Sequence, residues 1–277
     1  MSTTWRTLDE WEEVYLQRMS DAGVARIVFN RPEKRNAQTG TMVQSIFKAL
    51  EIVRGERELK VVITKGDGPS YSAGLDLHFL HSLDHEPLRD FDRPAVTTSL
   101  VEALIDYPRI TIAQVHGYCL GGSLGLMNVH DLVIAAVDAQ LGMPEIPRGS
   151  FGEIATSTLF HAQIPLKKAA LIALTARNVS GAEADRMGLV SMSVPADELE
   201  ERTNEIARRI SMNHLAPLQH HKIAVQMGRD RSLRDAIRLD QLVGERQFID
   251  VDPTGDVEGW LNSQKGGPNA TYKRSDV

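Results

Sequence analysis

The chain has 277 residues, 42% of them apolar, enough to bury a substantial core in one large domain with room for a smaller one. Its formal net charge of −6 leaves no basic field for nucleic acid or an anionic membrane surface, although a local basic cluster could still hold one phosphorylated ligand. The single cysteine, Cys119, excludes an internal disulfide, the acidic start MSTTWRTLDEWEE is unlike a targeting peptide, and no apolar run approaches the ~20 residues that span a bilayer; a cytoplasmic protein is expected.

The first strong element is VARIVFN (24–30), a β-branched run closed by Asn. NRPEKRNA (30–37) follows as a charged turn. TMVQSIFKALEIV places Met42, Ile46, Leu50 and Val53 on one helical face, and KVVITK (60–65) reads as the next buried strand, so a strand–helix–strand unit opens the core. SAGLDL (72–77) is a glycine turn. The stretch HSLDHEPLRDFDRPAVTTS (81–99) is expected to be a mobile wall beside a binding site. ITIAQVHG (110–117) is a third strand, CLGGSLGL (119–126) a second glycine turn opening onto a helix, and DLVIAA (131–136) a fourth strand. GMPEIPRGSFGEIA (142–155) then carries two carboxylates, Glu145 and Glu153, in an otherwise small and apolar turning segment.

Past about residue 195 strand signals stop. DELEERTNEIARRISMN, LAPLQHHKIAVQMG, SLRDAIRLDQLVGERQF and TGDVEGWLN read as helices. The expected division is an α/β core over 1–195 and a helical region over 196–277. Leu215, Leu218, Ile223 and Val225 form apolar stripes that a thin helical layer would leave uncovered.

Either glycine turn alone is compatible with ordinary strand-to-helix punctuation. Glycine also lets backbone approach a ligand closely, and a helix start presents unpaired N–H groups suited to an anion or a developing oxyanion. NRPEKRNA, SAGLDL, CLGGSLGL and PEI (144–146), in this order and spacing over residues 14–265, resemble the crotonase superfamily, the enoyl-CoA hydratases and isomerases. The resemblance implies a spiral of ββα units with a C-terminal helical region that builds a homotrimer or a dimer of trimers. It also implies an acyl-CoA thioester substrate, with coenzyme A as part of the substrate and neither metal nor separate cofactor. The N–H groups of Leu75 and Gly122 would form the oxyanion hole, and Lys34, Arg35, Ala37, Ala73, Asp76, Leu77, His78, Gly121 and Gly125 would line the substrate and CoA sites. Lys222 and Lys265 are weaker candidates.

The chain also departs from that family. Its hydratases carry one glutamate just past the glycine-rich turn and one in the PE segment; here the second is Glu145, but the first position is Gly125. Two-carboxylate hydration is therefore in doubt. Glu153 occupies a place where dienoyl-CoA isomerases of the family have an aspartate, and Met143, Ile146, Pro147, Phe151 and Ile154 are expected to surround both carboxylates with apolar surface. The alternative for Glu153 is a helix cap or an ion pair with Arg148, and for Gly125 a space left to a bulky acyl group.

Three functions stay open: an enoyl- or dienoyl-CoA isomerase using Glu145 and Glu153, a hydratase or hydratase-lyase using Glu145, and a CoA-ester-binding protein without turnover. The lyase reading lacks the phenol-binding tyrosines at Leu80 and in AIRLDQL. His78, His81 and His85 share a helix face but answer to no metal chemistry of the family, and Cys119 reads as a packed thiol.

Overall fold

The computed structural model describes residues 3–82 and 96–250. The chain opens with β1 (Trp5–Trp11), β2 (Val14–Met19) and β3 (Val24–Phe29), a pair of antiparallel connections. The sequence reading anticipated only β3. β1 carries Asp9 and Glu10 and stays largely exposed as a sheet edge, so it shows no apolar run; edge charges of this kind discourage further pairing.

α1 (Gly40–Gly55) starts where the Thr39 hydroxyl accepts the Met42 N–H. Its expected apolar face is the buried one: Met42, Ile46, Leu50 and Val53 are at most 2% exposed. Full burial of side chains this size contributes about 1.5–3 kcal/mol each. β4 (Val61–Gly66), α2 (Leu77–Ser82), α3 (Val96–Ile105), β5 (Ile110–Val115), β6 (Tyr118–Leu120) and α4 (Gly122–Asn128) follow. Then come β7 (Leu132–Ala136), β8 (Gln140–Gly142), α5 (Glu153–His161), α6 (Leu166–Thr175), β9 (Val179–Ser180), α7 (Gly181–Met187), β10 (Met192–Val194) and α8 (Leu199–Ser211).

The main sheet runs β1-β2-β3-β4-β5-β7-β10, parallel from β3 onward; a small sheet of β6, β8 and β9 lies apart from it. The parallel strands are buried along nearly their whole length, the pattern of a sheet covered on both faces. This is a mixed α/β fold built on a largely parallel sheet. β6, β8, β9 and β10, of two or three residues each, are too short to leave a periodic signal.

The described residues form two compact units, one through Ser211 and one from Met212. The expected division at 195 differs by one helix: Leu199, Thr203, Ala207 and Ser211 repeat every four residues on the buried face of α8, which packs on β3, β4, β5 and β7. Glu200 ties that helix to Arg26 at 2.9 Å and Lys65 at 3.3 Å. The second unit holds α9 (Leu215–Gly228) and α10 (Leu233–Asp250). The expected helix over 254–262, most of the wall over 81–99, His85 and Lys265 lie outside the described residues. Among the described residues no helix is long and apolar enough to cross a membrane.

Candidate active site

Backbone hydrogen bonds lay three separate segments side by side. Ala73 N–H donates to Arg35 O at 2.9 Å, Gln38 N–H to Gly74 O at 2.8 Å and Asp76 N–H to Gln38 O at 2.9 Å, joining the NRPEKRNA turn to SAGLDL. Ser72 N–H donates to Tyr118 O at 2.9 Å and Leu120 N–H to Ser72 O at 3.2 Å, joining SAGLDL to the second glycine turn. The side chains reinforce this: Ser123 Oγ bonds Ser72 Oγ at 2.5 Å, which in turn donates to Asn36 O at 2.7 Å.

The parallel pairing of Gln38 with Leu75 turns the Leu75 N–H away from the Gln38 strand. Gly122 is the first residue of α4, where an N–H has no helical acceptor. Among the described residues neither N–H donates to a protein group, and a Cβ placed on Gly122 would lie 4.0 Å from Leu75 N. The Leu75 and Gly122 backbones thus lie close together, each with an N–H that makes no bond to a protein group among the described residues. Gly121 makes the approach by a backbone only glycine adopts readily, with φ 56° and ψ −126°.

The second sheet brings the carboxylate. β6 pairs with β8, and Gly121 N–H donates to Gly142 O at 2.9 Å, so the chain leaving β8 passes Gly121 at Pro144 and Glu145. A Cβ on Gly121 would fall 2.6 Å from Glu145 Oε1, and one on Gly152 would fall 3.4 Å from Glu145 Cδ. The carboxyl is therefore wedged between two glycine backbones, one residue from Gly122. Glu145 Oε2 is buried with no hydrogen-bond partner. Burial pushes the Glu145 carboxyl above the usual carboxylate range, against its own backbone N–H and Arg148, which pull it down.

Gly125 stands elsewhere than expected. It is buried against α5: a Cβ there would meet Ile154 Cγ2 at 2.9 Å, Ala155 N at 3.2 Å and Ala155 Cα at 3.3 Å. In the direction a side chain would take, α5 fills the space. A glutamate there would have to displace α5. Gly125 faces protein on that side, so nothing in its surroundings assigns it to the substrate site.

Glu153 begins α5 with φ 32°, a left-handed value that strains a residue other than glycine. Its side chain is exposed, caps no helix and forms no ion pair with Arg148 among the described residues. As an acidic residue in the first turn of α5 it still complements the helix dipole. The expected apolar surround is only partial: Met143 is buried and Ile154 half-buried, but Ile146, Pro147 and Phe151 are exposed.

The remaining candidates divide. Asp76 is bonded into the scaffold. Its Oδ1 accepts His78 N–H at 2.9 Å and Phe79 N–H at 3.1 Å, and its Oδ2 meets Arg31 at 3.0 Å. Burial raises its pKa, but the bonds from Phe79, Arg31 and His78 outweigh it and hold the carboxyl below its ordinary range. Ala37 and Ala73 sit in the joined turns, the Ala37 carbonyl accepting from Arg31. Lys34, Arg35, Leu77 and His78 are exposed, with the Arg35 guanidinium 5.2 Å from the Tyr118 ring centroid. Lys222 lies in the second unit, 7% exposed. Burial pushes the Cys119 thiol up, in keeping with a packed residue.

Sequence reasoning passed over two residues here. Asn36, fully buried at φ 53°, donates to Asp67 O and Ser70 O and accepts Arg31 N–H, which locks the first turn. Its signal was available as an Asn between charged residues in a turn. Gln38 is 1% exposed beside Gly122, and as a polar residue just before a helix it gave no such signal.

Comparison with known proteins places the chain among relatives of one family. A family model described as enoyl-CoA hydratase/isomerase matches residues 19–254. The chain is 30% identical over 203 residues to a hydroxycinnamoyl-CoA hydratase-lyase of Pseudomonas fluorescens, covering 72% of this chain and 73% of that one. It is 28% identical over 263 residues to a probable enoyl-CoA hydratase of Mycobacterium bovis, covering 95% and 99%. The solved structure of an enoyl-CoA hydratase from Bacillus anthracis superposes with a TM-score of 0.82 at 26% identity, covering 95% of this chain and 99% of that one.

Proposed function

Since the chain belongs to the enoyl-CoA hydratase/isomerase family, we propose that it shifts a double bond in an enoyl- or dienoyl-CoA through an enolate held by the Leu75 and Gly122 amides. The observation that carries this reading is the Glu145 carboxyl, desolvated, unpartnered at Oε2 and fixed against Gly121 next to those amides. With the thioester oxygen on the two N–H groups, the neighbouring carbon becomes acidic, and Glu145 removes its proton. The electrons delocalise along the chain, the double bond moves one place toward the thioester, and a proton returns at the far carbon from Glu153. The strained backbone at Glu153 supports that role. So does Gly125, which offers no carboxylate at the position family hydratases use and is packed closely by Ile154 and Ala155. The CoA arrives with the substrate and the route uses no other cofactor. Lys34 and Arg35, exposed on the first turn, are proposed to meet its nucleotide end.

Replacing Glu153 by Gln separates the two proton steps. Double-bond migration is expected to be lost while deuterium exchange at the carbon next to the thioester persists in part, because Glu145 and both amides remain. Equal, small losses in both rates would remove Glu153 from the chemistry.

A second reading, hydration or hydratase-lyase cleavage through Glu145, is favoured by the likeness to the Pseudomonas fluorescens protein. It requires a water with no second carboxylate at Gly125. We further infer assembly as a homotrimer or a dimer of trimers, because Ile223, Val225, Leu233 and Leu242 of the second unit are 41–77% exposed. Light scattering at micromolar concentration is expected to give three or six times the chain mass of 30.7 kDa. A value near one chain mass would contradict it.

A further inference from the structure

The Gln38 side chain is a polar group placed where the reaction described above needs none. Its backbone is fixed on both sides, N–H to Gly74 O and carbonyl to Asp76 N–H, so the side chain cannot swing out with its own turn. The residue is 1% exposed, its Nε2 is buried with no hydrogen-bond partner, and its Oε1 lies 3.7 Å from where a Cβ on Gly122 would stand. That same point is 4.0 Å from Leu75 N. The carboxamide oxygen is therefore held close to the Gly122 and Leu75 backbones.

Buried amides are almost always satisfied, and one left open beside a ligand site is explained most simply by a partner on the ligand. A plain hydrocarbon acyl chain offers no such partner and would leave the amide dry and unpaired. We infer that Gln38 is a specificity-determining residue that selects acyl-CoA esters bearing a hydroxyl or carbonyl oxygen within the first few carbons beyond the thioester. A carboxamide both donates and accepts, so it serves either oxygen function. Sites built around such a bond discriminate strongly against analogues lacking the oxygen, since the protein group is then stranded. The inference rests on the acyl-CoA reading given under Proposed function and narrows its substrate class.

The test is a binding comparison that needs no turnover. Titration calorimetry measures the affinity of 3-oxobutanoyl-CoA and butanoyl-CoA, which differ only in the C3 oxygen, for the wild-type protein and for Gln38→Met, an unbranched apolar side chain of the same length. The wild type is expected to prefer the 3-oxo ester by about 10-fold or more. Gln38→Met is expected to bring the two esters within about 2-fold of each other and, having lost an unpaired amide, to melt no lower than the wild type. Equal affinities in the wild type, a preference that survives Gln38→Met, or a variant that melts lower or fails to fold would each overturn the inference. A wild type that binds neither ester would overturn the acyl-CoA reading and this inference with it; equal binding of both esters would overturn only the latter.

Discussion

Glu145→Gln is expected to lower kcat by about 100-fold or more while acyl-CoA binding persists, because the substitution keeps the shape of the side chain and removes the group that takes the proton. Gly125 has no carboxylate, and the Glu145 carboxyl packs against the Gly121 and Gly152 backbones, where a glutamine of the same shape fits. The same residue sets the pH dependence. Glu145 must be ionised to act as a base, and burial raises its pKa, so the acid limb of the rate profile is expected above the ordinary carboxylate range. Stability follows the opposite sense. Between the unfolded and the raised folded pKa the native state holds more protons, so the Glu145 contribution to stability falls as pH rises through that window. A turnover unchanged in Glu145→Gln would remove this residue from the reaction.

Gly122→Pro tests the other half of the site. Proline removes the N–H: Gly122 is the first residue of α4, the position where proline is best tolerated, and its Cβ would meet nothing closer than 3.7 Å. Loss of one oxyanion donor is expected to cost about 10²–10³ in kcat, roughly 3–4 kcal/mol of transition-state stabilisation. The variant is expected to keep its melting temperature within a few degrees. A folded Gly122→Pro protein that retains kcat within about 3-fold would show that this amide does not hold the developing charge.

Much of this site is legible in the sequence, and the rest is hidden for identifiable reasons. β3, β4, β5 and β7 announce themselves because a parallel sheet covered on both faces needs continuous apolar runs. The buried face of α1 follows from its 3.6-residue period. The two glycine turns and the PE segment carry the amides proposed for the oxyanion hole and Glu145 in readable order. Gly125 was legible as a missing carboxylate but not as a packing site, because what fills its space, Ile154 and Ala155, comes from α5, some thirty positions along the chain. Asp76 looked like a ligand group and is consumed by Arg31 and the start of α2, partners that only the folded turns bring together. Gln38 was invisible because burial, not residue type, makes its amide significant. Asn36 shows the same limit from the structural side: a turn residue by composition, it is in fact the three-bonded lock of the first turn.

The account stands most directly on the identity of the product. A panel of 2-enoyl, 3-enoyl, dienoyl and aromatic CoA esters is incubated with the protein in deuterated water and the products are read by mass. Double-bond migration through the enolate predicts a product of unchanged formula that has taken up deuterium, with the uptake lost in Glu145→Gln. A product heavier by one water, or esters recovered without deuterium from every member of the panel, would contradict it.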